Sequence, residues 1–376
     1  MAFAERFLPK FAFSGTIWPQ PQQIKTSDAF FAVSATVDLV YASDSARCRV
    51  VDDAIDRYGT LIRKRAGLSR EQHKLEWSSS INQVIITVAK CEEYPADGML
   101  EAYTLATTDA ASIAIYGEAE WGVLHALESL AQMIHEIDGR RGVNQTTIAD
   151  FPRFGFRGML IDTSRHFLPV NSIKAMIAAL SWNKMNVLHW HIVDLESFPY
   201  ESAVLPRLAE LGAYTKFNHV YSQATITELI EYARFRGVRI IPEFDTPGHA
   251  ESWGPGAGEG FLTQCCDKKG APDGTVGPID PSRKANYDLM KTLFGEIKSV
   301  FKDDFIHLGG DEVPFGCWQS NPNITKWMKE KNLTSYADVE SVWIDGMIDI
   351  VEKLKYNYVV WEEVFRQVLF KINVVA

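Results

Sequence analysis

The stretch Phe305–Val313 reads FIHLGGDEV: an apolar run, two glycines, then the adjacent carboxylates of Asp311 and Glu312. Ionised carboxylates at that range repel each other, so local propensity offers no reason for the pair. The pair has a use only if something binds there that needs both acids. Successive strand residues face opposite ways, so both acids serve one pocket only if the strand gives way to a loop at Gly309-Gly310. The plainer alternative is a solvated turn.

Four other apolar runs gather polar residues at their C-terminal ends. RGMLIDTS (157–164) carries Asp162 and leads to Arg165, and NVLHWHIVD (186–194) carries His189, His191 and Asp194. VRIIPEFD (238–245) carries Glu243 and Asp245 and precedes His249, while YVVWEEVF (358–365) carries Trp361, Glu362 and Glu363. Amphipathic segments separate these runs. Ile173, Met176, Ile177 and Leu180 share one helical face, and so do Leu289, Leu293, Ile297 and Val300. A third helix is predicted to open at Thr225 with a capping box to Glu228 and to stop at Gly237. Strands apolar on both faces and alternating with helices mean a parallel sheet. Five successive strands with polar C-terminal ends favour a (β/α)8 barrel, whose chemistry lies on that rim, over a doubly wound sheet, which binds at one switch point.

Residues 1–150 differ in character and read as a small α+β domain, with the barrel over 151–376. AFFAVS (29–34), INQVIITVAK (81–90), AYTLATT (102–108) and ASIAIYG (111–117) are strand-like, the last two close enough for a hairpin. Leu124, Leu127, Ala131 and Ile134 mark a helix. Nothing in these residues clusters ionisable groups in a way that suggests chemistry.

The chain has 376 residues, 46% of them apolar, enough for a sizeable core. Its net charge of −10, with no long Lys/Arg run, argues against a nucleic-acid partner. No apolar stretch approaches the roughly 18 residues of a membrane span. The start, MAFAERFLPKFAFSG, lacks the continuous apolar core of a secretory signal. Against a cytosolic reading stand three glycosylation sequons, at Asn144, Asn323 and Asn332. The five cysteines, Cys48, Cys91, Cys265, Cys266 and Cys317, have no zinc-site spacing.

RGMLIDTSRHFLP, NVLHWHIVD, PEFDTPGH and FIHLGGDEV resemble, in order, the strand-end motifs of family 20 glycoside hydrolases, the β-N-acetylhexosaminidases. The likeness is greatest to the lysosomal members and runs from about residue 15 to residue 366. It implies hydrolysis of terminal β-linked N-acetylhexosamine with retention, without metal or organic cofactor, through attack by the substrate's own acetamido oxygen. By resemblance Glu312 is the general acid and Asp311 the acetamido partner. Arg165 binds sugar hydroxyls, Asp194 and His249 form a supporting pair, and Trp361 lines the pocket. His189, His191 and Glu243 are supports of the rim. The resemblance also implies a Cys265–Cys317 disulfide, with Cys48–Cys91 likewise, a lysosomal or extracellular location, and dimers in full-length relatives.

Two departures stand out: Leu195 replaces an Asp common in relatives, and the match stops near LFKINVVA. The family barrel has three further strands, so an incomplete barrel of about five strands and weak turnover are expected of these residues. Three rival readings remain: a remnant that binds amino sugar or a partner subunit, an HxH metal hydrolase through HWH, and a cyclase through GGDE. The stretch GPGAGEG (254–260) lacks the Lys-Ser/Thr of a phosphate loop and reads as a mobile rim loop.

Overall fold

The computed structural model describes residues 17–66, 80–108, 112–137 and 140–368. The opening stretch, the last eight residues and the middle of the predicted hairpin turn lie wholly or largely outside them. The chain divides into two compact units. One takes the chain up to Arg157 together with Ile177–Asn186 and Ala233–Val238, and the other takes Gly158–Met176, Val187–Tyr232 and the residues from Arg239 onward.

In the first unit β1 (Gln23–Tyr41), β2 (Ser80–Lys90), β3 (Tyr103–Thr107), β4 (Ser112–Ala119), β5 (His135–Ile137) and β6 (Arg140–Asp150) form one mixed sheet in the order β1-β2-β4-β3-β6-β5. The β3–β4 pair is antiparallel, as the hairpin requires. The helices Arg49–Ala66 and Glu120–Met133 bury Val50, Val51, Trp121 and Leu127 in the same core as Val84, Ile86 and Ile115 of the sheet. A disulfide joins Cys48, just before the first helix, to Cys91, just after β2. This unit brings ionisable groups together, all of them held by partners. Buried Glu101 accepts from His125 at 2.9 Å and pairs with Arg157, while buried Lys184 donates to Tyr103 and Ser129. Each buried charge has partners, as burial demands.

The second unit is built on β7 (Gly158–Asp162), β8 (Val187–Val193), β9 (Arg239–Phe244), β12 (Phe305–His307) and β13 (Asn357–Val359), paired in that order and all parallel. Between β9 and β12 the chain inserts a separate antiparallel hairpin, β10 (Leu262–Cys266) and β11 (Pro272–Ile279), which the sequence did not announce. Strand order rises steadily with the chain, so there is no switch point, and this is the order of a (β/α)8 barrel. The register aligns one row across the sheet: Asp162, His191, Glu243, His307 and Val359. In-register neighbours on parallel strands project to the same side. The row therefore collects the polar strand ends at one level.

Helices Val170–Trp182, Gln223–Arg234, Lys284–Val300 and Tyr336–Lys353 alternate with these strands. The second begins two residues before the predicted start, because Ser222 rather than Thr225 supplies the capping oxygen, accepting the Thr225 N–H at 3.2 Å. GPGAGEG is not a plain loop, since Gly254–Ala257 forms a helical turn whose Gly256 lies against the backbone of Arg207 and Leu208. A second disulfide ties Cys265 on β10 to Cys317, and Cys266 stays free and half-buried. No helix among the described residues is long and apolar enough to cross a membrane.

Glu340, on Tyr336–Lys353, is buried, and burial followed by the charge of Glu363 pushes its carboxyl up to about 7. A raised carboxylate leaves stability intact below the unfolded pKa and removes it as pH rises through the folded one. Glu340→Gln is therefore expected to raise the melting temperature at pH 8 and leave it unchanged near pH 4. Equal shifts at both pH values in thermal melts would refute this.

Candidate active site

The C-terminal end of β12 is where the strand alternation breaks. Gly309, Gly310 and Glu312 take φ of +70°, +98° and +50°. Left-handed backbone suits glycine, while Glu312 is held there only because its surroundings fix it. Those surroundings are specific. The Gly309 N–H donates to His307 Nδ1 at 3.0 Å, the Gly310 N–H to Asp245 Oδ1 at 2.8 Å, and the Trp361 N–H to the Gly309 carbonyl at 3.1 Å. The chain then turns, leaving the Glu312 side chain 73% exposed and the Asp311 side chain 23% exposed. One Asp311 oxygen, Oδ1, is buried and has no hydrogen-bond partner among the described residues.

His249 sits beside both acids, itself at φ +53°. Its Nδ1 lies 2.7 Å from Asp245, 3.7 Å from Asp194 and 3.8 Å from Asp311, and its Nε2 is 3.5 Å from Glu312. Its direct partner is thus Asp245, which the sequence reading left unassigned among the rim residues, and Asp194 approaches it less closely. The bond to Asp245 and the surrounding carboxylates lift the imidazole to about 9, against burial. Asp245, fully buried, is itself pushed upward by burial and by the Asp311 charge, with the His249 bond opposing.

Asp194 is fully buried. Its Oδ2 accepts from Arg165 at 2.8 Å and from His191 at 2.7 Å. Arg165 also pairs with Asp162 at 2.8 Å. At the centre of the in-register row, buried Glu243 accepts from His189 at 2.6 Å, from His191 at 2.9 Å and from the Trp361 indole at 2.8 Å. Both HWH histidines are therefore occupied in holding one carboxylate. Burial alone would lower His191, but its bonds to Asp194 and Glu243 raise it to about 10. Burial would raise Glu243, and the histidine bonds hold it well below the usual carboxylate range. His307 is buried and displaced downward to about 4.

Three groups bring possible metal-ligand atoms within 4.8 Å of one another: His189, Glu243 and His307; Asp194, Asp245 and His249; and His249, Asp311 and Glu312. In the first two the Glu243, Asp194 and Asp245 carboxylates are already engaged in the bonds above. The third opens to solvent at Glu312 and can take a polar ligand.

The glycine pair is expected to be indispensable to this geometry. A Cβ at Gly309 would collide with the Asp245 carboxyl, and one at Gly310 with Val364. Gly309→Ala should lower stability by about 1–3 kcal/mol in urea unfolding, and an unchanged midpoint would contradict the close approach.

Known proteins carry the same arrangement of units. The profile of "Glycosyl hydrolase family 20, catalytic domain" matches residues 154–375, and that of "beta-acetyl hexosaminidase like" matches 17–133. The chain is 43% identical over 359 residues to rat beta-hexosaminidase subunit alpha, covering 93% of this chain and 67% of that protein. It is 38% identical to human beta-hexosaminidase subunit beta, covering 93% and 64%. Among solved structures it is similar to a Flavobacterium johnsoniae chitobiase, with TM-score 0.80, 28% identity, and coverage of 93% of this chain and 52% of that one. It is also similar to a Vibrio harveyi exo-β-N-acetylglucosaminidase solved with N-acetylglucosamine, with TM-score 0.72, 25% identity, and coverage of 93% and 55%. The chain thus spans about two thirds of the length of these curated relatives and about half that of these solved chains. With both profiles matched in order and a relative above two-fifths identity, the chain belongs to glycosyl hydrolase family 20.

Proposed function

We propose that this chain is a β-N-acetylhexosaminidase that releases terminal β-linked GlcNAc or GalNAc from glycoconjugates with retention. Residues up to 150 serve as a non-catalytic α+β domain and residues 151–376 as the catalytic barrel. The observation that carries the reading is that Asp311 and Glu312 face the two ring nitrogens of one imidazole, His249, with Glu312 open to solvent and Asp311 partly so. A partly exposed carboxylate can accept an acetamido N–H.

In this reading Asp311 accepts the acetamido N–H and aligns the acetamido oxygen with the anomeric carbon. That oxygen attacks as the glycosidic bond breaks, and Glu312 gives its proton to the leaving oxygen. Asp311 then balances the positive charge of the cyclic intermediate. Glu312, now ionised, takes a proton from water as it opens the ring with net retention. His249 orders both acids, Arg165 meets the sugar hydroxyls with Asp194 behind it, and Trp361 offers a ring face. No step requires a metal or an organic cofactor.

The location that fits is lysosomal or extracellular. Two disulfides are in keeping with an oxidising compartment. Asn323 and Asn332 are exposed and suited to glycosylation, whereas the Asn144 amide donates to the Ser27 carbonyl inside the sheet. The relatives are named as subunits, which favours a dimer with a like chain.

Hydrolysis of an aryl β-GlcNAc and of an unactivated β-GlcNAc disaccharide tests the assignment. Glu312→Gln should slow the disaccharide by at least about 100-fold and the aryl glycoside less, because a good leaving group needs less protonation. Asp311→Asn should slow both. Full activity of Glu312→Gln on the disaccharide would be decisive against these roles. Binding of amino sugar without hydrolysis would favour the binding-only reading.

A further inference from the structure

Beyond the acids and the residues that face the sugar, one buried side chain ties opposite walls of the site together. We propose that Glu243 is a positioning residue that sets Trp361 and Arg165 relative to each other, through the bonded chain Arg165–Asp194–His191–Glu243–Trp361. This rests on the hexosaminidase reading above, in which Arg165 and Trp361 contact substrate.

Each link is short, although Arg165 also pairs with Asp162 and Glu243 also holds His189. Arg165 Nη2 meets Asp194 Oδ2 at 2.8 Å, and His191 Nε2 donates to the same oxygen at 2.7 Å. The other imidazole nitrogen of His191 donates to Glu243 Oε2 at 2.9 Å, and the Trp361 indole N–H donates to Glu243 Oε1 at 2.8 Å. Carboxylate oxygens lie against both ring nitrogens of His191, which suits an imidazolium, and Arg165 Nη1 lies 3.3 Å from the same Nε2. The string then alternates +, −, +, −, and every internal member is buried: Asp194 and Glu243 at 0% exposure, His191 at 4%. Its far end is the only polar handle of an indole, so Glu243 fixes the ring's rotation as well as its place. Trp361 also packs its ring 4.7 Å from that of His307. A buried carboxylate with a single hydrophobic neighbour would be a poor anchor, because it would take up a proton. Here two histidines keep it charged, which strengthens the indole bond.

Other charged groups face this string. Asp162 and Arg165 lie after or at the end of β7, His189 and Asp194 belong to β8 and its exit, Asp245 follows β9, and His307 ends β12. Glu243 hydrogen-bonds both His191 and the Trp361 indole, while His307 meets the histidine side and the tryptophan through ring contacts.

The test compares wild type with Glu243→Gln, Glu243→Asp and Trp361→Phe. Sugar contacts made equally before and in the transition state appear in KM rather than kcat. Glu243→Gln should raise KM about tenfold, the effect of one charged hydrogen bond, with kcat per folded molecule within about twofold. It should also bring the His191 titration, followed by NMR of labelled histidine, down into the range between pH 5 and 9, with a matching new inflection in kcat/KM. Glu243→Asp keeps the charge but shortens the arm. It should therefore raise KM with no new inflection, as should Trp361→Phe, which lacks the N–H. A merely structural Glu243 would leave KM unchanged in both Glu243 variants and lower kcat only with the folded fraction, and that result overturns the proposal. So does a wild-type His191 that is neutral at pH 8, or a Trp361 indole resonance that does not move in Glu243→Gln. These spectra need no turnover, so a wild type inactive on every amino sugar would count against the hexosaminidase reading while they still judge the string.

Discussion

Ionised carboxylates do not stay charged in a protein interior without positive partners, and this sheet buries Asp194, Glu243 and Asp245 together at its C-terminal edge. Everything at the rim answers to that constraint. His191 is shared between two of the acids, and His249 is held by the third, so two imidazoles keep protons well above their ordinary range. The cations then become fixed features, aimed where the acids hold them. Arg165 enters the arrangement from β7 for the same reason. The more solvent-exposed pair, Asp311 and Glu312, is left with one contact to His249 and otherwise open coordination.

The parallel barrel order makes this neutralisation cheap in chain length. Successive strands lie side by side, so residues at equal depth on β7, β8, β9 and β12 fall into one row without long connections. A sequence needs only one polar residue near the end of each apolar run for a network to form. The left-handed turn after β12 adds what the strands cannot supply, a pair of neighbouring acids directed to one side.

Much of this was legible beforehand, and the failures have physical causes. Apolar runs ending in polar residues marked all five parallel strands, most clearly β8 and β9, which are buried nearly throughout. The motif likeness placed both disulfides correctly. What pattern could not show was partner choice. Asp194 and Asp245 are both two-oxygen acceptors on neighbouring rims, and only the fold decides that His249 takes the second. The Ser222 cap was missed because Thr225 and Glu228 fit the capping template equally well on paper. The Glu101–His125 cluster was hidden because its members are far apart in sequence and join Arg157 only after folding. The hairpin β10–β11 carries Gly and Pro among polar residues, which reads as loop.

The Cys265–Cys317 bridge has a consequence for when the pocket becomes rigid. Asp311 and Cys317 are six positions apart, on the same excursion after β12, and the bridge clamps that excursion to the hairpin inserted before it. The parallel sheet asks nothing of oxygen or oxidant to assemble. The loop bearing the two acids does, since its far end is anchored by a bond that only an oxidising milieu forms and keeps. The bridge thus makes the fixing of the acid-bearing loop, unlike the pairing of the strands, depend on the redox state of the surroundings.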